Sequence, residues 1–164
     1  MRFSRGPSFT LQKPCRKRPR RSWSWPTPDP EVFEIEDEAA MRRLGASLAP
    51  SLRIGDVLLL EGPLGAGKTT LVRGLLEALG LTEPVRSPTF NLLHLYPTNP
   101  PVAHADLYRL AGWHGIGLED LADTHVVAIE WPSRAVGFAD PEDCWQIDIA
   151  TEVAGRRVTI RPPA

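Results

Sequence analysis

Only two cysteines, Cys15 and Cys144, occur in the 164 residues, and neither sits in a CxxC pair or a Cys/His cluster. That excludes a disulfide framework and sets the expectation of a reducing, cytoplasmic setting. No apolar run approaches the ~20 residues needed to span a bilayer. The basic N-terminus leads into Ser22-Trp23-Ser24-Trp25-Pro26-Thr27-Pro28, which offers no apolar core of a secretory signal. Lysine is scarce as well: Lys13, Lys17 and Lys68 are the whole supply. Nor does one sign of charge dominate, since 19 basic residues face 20 acidic ones for a net charge of −1. Taken whole, this balance excludes a uniformly basic nucleic-acid binder and an acidic disordered chain.

The near-neutral sum averages two unlike segments. Residues 1–30 hold eight basic residues (Arg2, Arg5, Lys13, Arg16, Lys17, Arg18, Arg20, Arg21) against Asp29 alone, a net +7. The remainder holds eleven basic and nineteen acidic residues, a net −8. Rich in Arg, Pro and Ser and without periodicity, residues 1–30 read as a disordered basic tail. Its Arg16–Arg21 run beside Trp23 and Trp25 could contact phosphate backbones and stack on bases, but basic runs are more often solvated tails. The remaining chain, 31–164, is read as one domain, long enough to bury a core.

From Glu31 the pattern is globular. Val32–Ile35 predicts a strand, and Asp37 can cap a helix to about Ala49 with Met41, Leu44 and Leu48 at helical spacing. Asp56–Glu61 and His125–Glu130 are short apolar runs of the kind expected for strands buried on both faces. A helix is expected from Lys68 to Leu79, with Leu71, Leu75, Leu76 and Leu79 inward and Gly80 as its stop. Phe90–Tyr96 and Val102–Leu107 predict strands joined through the proline-rich segment 97–101. A short helical piece follows near Leu118–Ala122, and Trp145–Ile149 with Arg157–Arg161 flank a turn at 152–155. Together they predict an α/β fold: a mostly parallel P-loop NTPase-type sheet flanked by helices, with a C-terminal antiparallel hairpin.

Gly62-Pro63-Leu64-Gly65-Ala66-Gly67-Lys68-Thr69 matches G-x-x-x-x-G-K-[ST] between a buried-strand pattern and a helix. A chance match in a chain of this composition is on the order of a few in a thousand. The glycines let successive backbone N–H groups converge on phosphates at the positive end of a helix. Lys68 adds a point charge for the β- and γ-phosphates, the Thr69 hydroxyl is a Mg²⁺ ligand, and Thr70 can reach the α-phosphate. No N/T-K-x-D guanine-reading motif exists among three lysines, which favours ATP over GTP.

Magnesium prefers hard oxygen ligands, and two carboxylates end predicted buried strands: Asp106 and Glu130. Either could hold the metal while the other positions the attacking water. Arg86-Ser87-Pro88-Thr89-Phe90 lies where P-loop NTPases place a switch loop, though spacing alone fits an ordinary Ser-Pro turn. Trp131 could lie near the nucleotide, but an aromatic at a strand end is more often core. Arg134, Arg156 and Arg157 are candidates for γ-phosphate charge, a role that surface arginines seldom fill. His94, His104, His114 and His125 show no zinc spacing and are assigned ordinary core or surface roles.

GPLGAGKTT (62–70), VRSPTF (85–90), HADLYRL (104–110) and IEWP (129–132), in this order, resemble the TsaE family. The resemblance covers about residues 31–160, and the last three motifs together are specific to that family where the first is generic. It implies a Mg²⁺-dependent ATPase required for threonylcarbamoyladenosine modification of tRNA, acting with the TsaD–TsaB complex and reaching tRNA through it. By that resemblance Gly65, Ala66, Gly67, Lys68, Thr69 and Thr70 hold the nucleotide. Thr69 and Glu130 are associated with magnesium, and Asp106 is the other functional carboxylate. Ser87 and Thr89 become switch residues, and the helix start around Asp37 and Glu38 and the hairpin near Gly155 approach the nucleotide. The basic tail is no part of the family pattern, and the connection Arg109–Leu118 lacks its acidic stretch.

Two readings of other classes compete. A small-molecule kinase shares the P-loop but needs a basic lid, and no insertion after Glu130 supplies one. A non-enzymatic nucleotide-dependent module would bind ATP without hydrolysing it.

Overall fold

The computed structural model describes residues 29–85 and 92–164. The tail reading for residues 1–28, and the switch assignments at Ser87 and Thr89, lie outside the described residues.

Among the described residues seven strands form one mixed sheet: β1 (Glu31–Ile35), β2 (Val57–Glu61), β3 (Leu93–Tyr96), β4 (Val102–Asp106), β5 (Val126–Glu130), β6 (Trp145–Glu152) and β7 (Gly155–Arg161). Their spatial order is β1-β7-β6-β2-β5-β4-β3. The inner strands β6, β2, β5 and β4 run parallel, while β3 joins β4 and β7 joins β6 antiparallel. The expected α/β architecture with its terminal hairpin is present. The hairpin is not merely an edge, however, because β6 pairs directly with β2, and β1 closes that side against β7.

Local chemistry accounts for the helix ends. Asp37 caps α1 (Glu38–Leu48), its Oδ1 accepting the Ala40 N–H at 2.7 Å. The helix α2 (Lys68–Ala78) stops at Gly80, whose φ of 94° permits the paired bonds Leu81 N–H to Leu76 O and Gly80 N–H to Glu77 O. That is the Schellman closure, and it satisfies carbonyls a frayed end would leave open. Leu79 follows the helix as its cap and, half-buried, still packs against the core as expected.

The two helices cover one face of the sheet. Leu71, Val72, Leu75 and Leu76 of α2 are fully buried against Leu58, Leu60, Val102, Val126 and Ala128. Each such side chain contributes ~1.5–3 kcal/mol. Among the described residues the opposite face carries no long helix. There α3 (Leu118–Leu121) and the segments carrying Leu107, Trp113 and Phe138 pack on Ala103, Ala105, Val127 and Ile129. Residues of β4 and β5 therefore alternate between two cores, with even-numbered positions on the α1/α2 face. Among the described residues, no helix is long and apolar enough to cross a membrane.

Candidate functional site

The P-loop leaves the carboxyl end of β2 and enters α2, so its N–H groups gather at the positive end of that helix. Gly67, immediately before the helix, adopts φ 109°, a left-handed conformation that a side chain would strain. A Cβ there would also stand 3.2 Å from the Met41 terminal methyl of α1. The loop can therefore curl only because this position has no side chain.

Lys68 is buried at 4% exposure. Its Nζ donates to the carbonyls of Gly62 at 2.6 Å and Pro63 at 3.0 Å, and lies 4.2 Å from the centroid of the Trp131 ring. Burial pulls its pKa below the usual lysine value, opposed by the charges of Glu130, Asp106 and Glu61. Trp131 is held in a left-handed turn directly after β5, with φ 62° and ψ 58°, and tilts against Tyr108 at 4.9 Å between ring centroids. Its indole face thus lies beside the Lys68 ammonium, while the ring also packs against the second core.

The two carboxylates come together because β4 and β5 are parallel neighbours in register, with Asp106 paired to Glu130 at their carboxyl ends. Both are buried, at 5% and 4% exposure. Asp106 Oδ1 accepts the Tyr108 N–H at 2.9 Å, which turns the chain after β4. Glu130 Oε1 accepts the Thr69 hydroxyl at 2.7 Å, tying the P-loop to β5. Burial alone would raise the Glu130 pKa. Hydrogen bonds from His104 and Thr69 and the charge of Lys68 outweigh it and hold the carboxyl below the usual value.

His104 is the residue sequence reasoning missed, having been assigned an ordinary role. It is fully buried on β4, with Nε2 2.9 Å from Glu130 Oε1. The available signal was the two-residue period: His104 and Asp106 must share a face, and that face meets the end of the neighbouring strand.

A cleft of about 290 Å³ opens beside the loop, lined by residues that include Ile35, Asp37, Glu38, Met41, Thr70 and Arg156. Gly65, Ala66 and Gly67 line it too, so the second half of the loop borders it. Glu38 reaches it from the start of α1, where its carboxylate meets Arg73 at 3.3 Å and Arg42 at 3.6 Å. Of the three candidate arginines only Arg156 reaches the P-loop, donating from Nε to the Ala66 carbonyl at 3.2 Å. Arg157 is paired with Glu34 and Glu152 at the surface, and Arg134 donates to the Leu110 carbonyl.

The donors fit a metal-bound nucleotide: one hydroxyl and two carboxylates are hard oxygens suited to Mg²⁺. Among the described residues no group of three or more His, Cys, Asp or Glu could cage an ion by itself.

The family model described as threonylcarbamoyl adenosine biosynthesis protein TsaE matches residues 35–158. A tRNA threonylcarbamoyladenosine biosynthesis protein TsaE of Streptomyces coelicolor is 45% identical over 102 residues, covering 56% of this chain and 66% of that one, just short of two thirds of its length. The protein of that name from Nostoc is 43% identical over 116 residues, covering 63% and 68%. Its counterpart in Treponema pallidum is 41% identical over 119 residues, covering 70% and 87%. The crystal structure of Bacillus subtilis YdiB superposes with a TM-score of 0.70 at 28% identity, covering 82% of this chain and 86% of that chain. The fold, the P-loop with its paired strand-end carboxylates and the family match agree: this chain belongs to the TsaE family.

Proposed function

We propose that this chain is a Mg²⁺-dependent ATPase required for threonylcarbamoyladenosine modification of tRNA, hydrolysing ATP in association with the TsaD–TsaB complex. The observation that carries the reading is the Thr69–Glu130 hydrogen bond. It brings the one hydroxyl that the P-loop motif reserves for a metal against a buried strand-end carboxylate, the pair of groups that hold the metal in P-loop NTPases. The names of the relatives supply the pathway, and a cytoplasmic location accords with it.

The amides of Gly65, Ala66 and Gly67 receive the β-phosphate region, and Thr70 adds a hydroxyl toward the α-phosphate. Lys68 exchanges its two carbonyl partners for β- and γ-phosphate oxygens. Thr69 and Glu130 hold the metal, which when bound neutralises charge developing on the phosphates. Asp106, beside Glu130 and clear of the Thr69 bond, positions the attacking water. The cleft reaching Glu38 takes the nucleoside end, Trp131 packs near the phosphates, and Ser87 and Thr89 act as the switch. Turnover of the isolated chain is slow, because phosphoryl transfer needs every charge in place and a partner completes the arrangement.

The test is phosphate release with and without the TsaD–TsaB complex, for the wild type, Lys68→Ala and Glu130→Ala. Partner-stimulated release that both variants abolish supports the reading. Wild-type turnover in either variant removes that residue from it. Phosphate transfer to a metabolite would make the chain a kinase, and binding without release would make it a nucleotide-dependent module.

A further inference from the structure

His104 is a polar ring set between Ala103 and Ala105 in the fully buried strand β4. It is fully buried in the middle of β4, and its Nδ1 finds no hydrogen-bond partner among the described residues. A buried polar ring with an orphaned atom is a net cost to the core unless its other nitrogen does something an apolar group cannot. That nitrogen, Nε2, lies 2.9 Å from Glu130 Oε1, the same oxygen that accepts the Thr69 hydroxyl at 2.7 Å.

We propose that His104 is a positioning residue that fixes Glu130 Oε1 so that it captures the Thr69 hydroxyl hydrogen and leaves both Thr69 lone pairs for a phosphate-bound Mg²⁺. An ionised carboxylate only accepts, so the hydrogens in both contacts belong to the histidine and the threonine. A hydroxyl has a single hydrogen; committing it to Glu130 turns the oxygen's acceptor side away from β5. Glu130 is also drawn electrostatically toward Lys68, and a carboxylate that swung to that ammonium would release Thr69. His104 holds the oxygen against that pull. The register makes this possible, because His104 pairs with Ala128 and Asp106 with Glu130, so His104 is the diagonal neighbour of Glu130 on one face.

This inference rests on the Mg·ATP reading, and the experiment separates the two. A fluorescent ATP analogue is titrated into the full chain with Mg²⁺ and with EDTA, for the wild type, His104→Leu, His104→Gln and Thr69→Ala. Partners that orient a metal ligand are typically worth about tenfold or more in metal affinity. His104→Leu is therefore expected to lose about tenfold of the Mg²⁺-dependent gain in affinity while the EDTA affinity stays unchanged. His104→Gln, whose amide nitrogen can take the place of Nε2, recovers most of that gain. In a Thr69→Ala background His104→Leu has no further effect. An unchanged Mg²⁺-dependent gain in His104→Leu, or an equal further loss in the Thr69→Ala background, overturns the proposal. If His104→Leu does not fold, folded His104→Gln decides: a retained gain supports the proposal and a lost gain overturns it. No Mg²⁺-dependent gain in the wild type overturns the Mg·ATP reading itself, and this inference with it.

Discussion

The Thr69 hydroxyl donates to Glu130 Oε1 across 2.7 Å, although 61 positions separate the two residues in the chain. The contact exists because β2 and β5 are parallel neighbours, with Leu60 paired to Glu130. The loop that leaves β2 therefore starts beside the carboxylate that ends β5.

Glu130 is held ionised by its partners, with a pKa below the ordinary value of 4.5. A carboxyl whose folded pKa is depressed stabilises the fold above its unfolded pKa and loses that contribution as pH falls through the folded value. Urea unfolding between neutral pH and about pH 3 should therefore show a steeper acid loss for the wild type than for Glu130→Gln. Parallel curves would show that the carboxylate carries no such linkage.

Lys68 rests over the Trp131 ring at 4.2 Å, and nucleotide phosphates should draw it away. Trp131 emission is expected to change on ATP addition in the wild type and to stay flat in Lys68→Ala. Loss of a charge-assisted contact of ~1.5–3 kcal/mol should also weaken nucleotide binding about 10- to 100-fold. Equal affinities by calorimetry would contradict the role given to this lysine.

Helices α1 and α2 cross where glycines let their backbones touch. A Cβ on Gly45 would lie 2.0 Å from the Leu71 carbonyl oxygen, and one on Gly74 the same distance from that of Arg42. Neither oxygen can move without shifting its helix. Gly45→Ala should cost about 1–3 kcal/mol or more in chemical denaturation. Because α1 walls the cleft, nucleotide affinity should fall too. A neutral substitution would mean that the helices separate freely.

Arg156 braces the P-loop from the hairpin, donating to the carbonyls of Ala66 at 3.2 Å and Gly155 at 2.9 Å. Losing the loop contact, at ~1 kcal/mol, should lower nucleotide affinity of Arg156→Ala about fivefold. Arg157→Ala serves as the control, since its partners Glu34 and Glu152 lie at the surface away from the loop. Similar losses in both variants would point to general charge rather than to the brace.

Much of this was legible in local chemistry. Asp37 announced α1 by its capping chemistry and Gly80 the end of α2 by its freedom at positive φ. The P-loop announced itself because backbone curvature, helix polarity and a lysine must coincide in one short stretch. The apolar runs of β4 and β5 ended visibly on Asp106 and Glu130. His104 was assigned an ordinary role because its alternation with Asp106 places it on a face without saying what that face meets. Only its neighbour strand reveals what its ring touches, and the same holds for Arg156, ninety residues from the carbonyl it meets.

The amino-acid sequence by itself determined the elements, the phosphate loop and the family, since turn chemistry, capping and alternating burial act over a few residues. Tertiary structure decided the order of the strands, the insertion of β6 beside β2 and the convergence of Thr69, His104 and Glu130. Those outcomes depend on which strands share hydrogen bonds and in what register. Pairing of that kind is set by the packing of two whole sheet faces, which no single segment encodes.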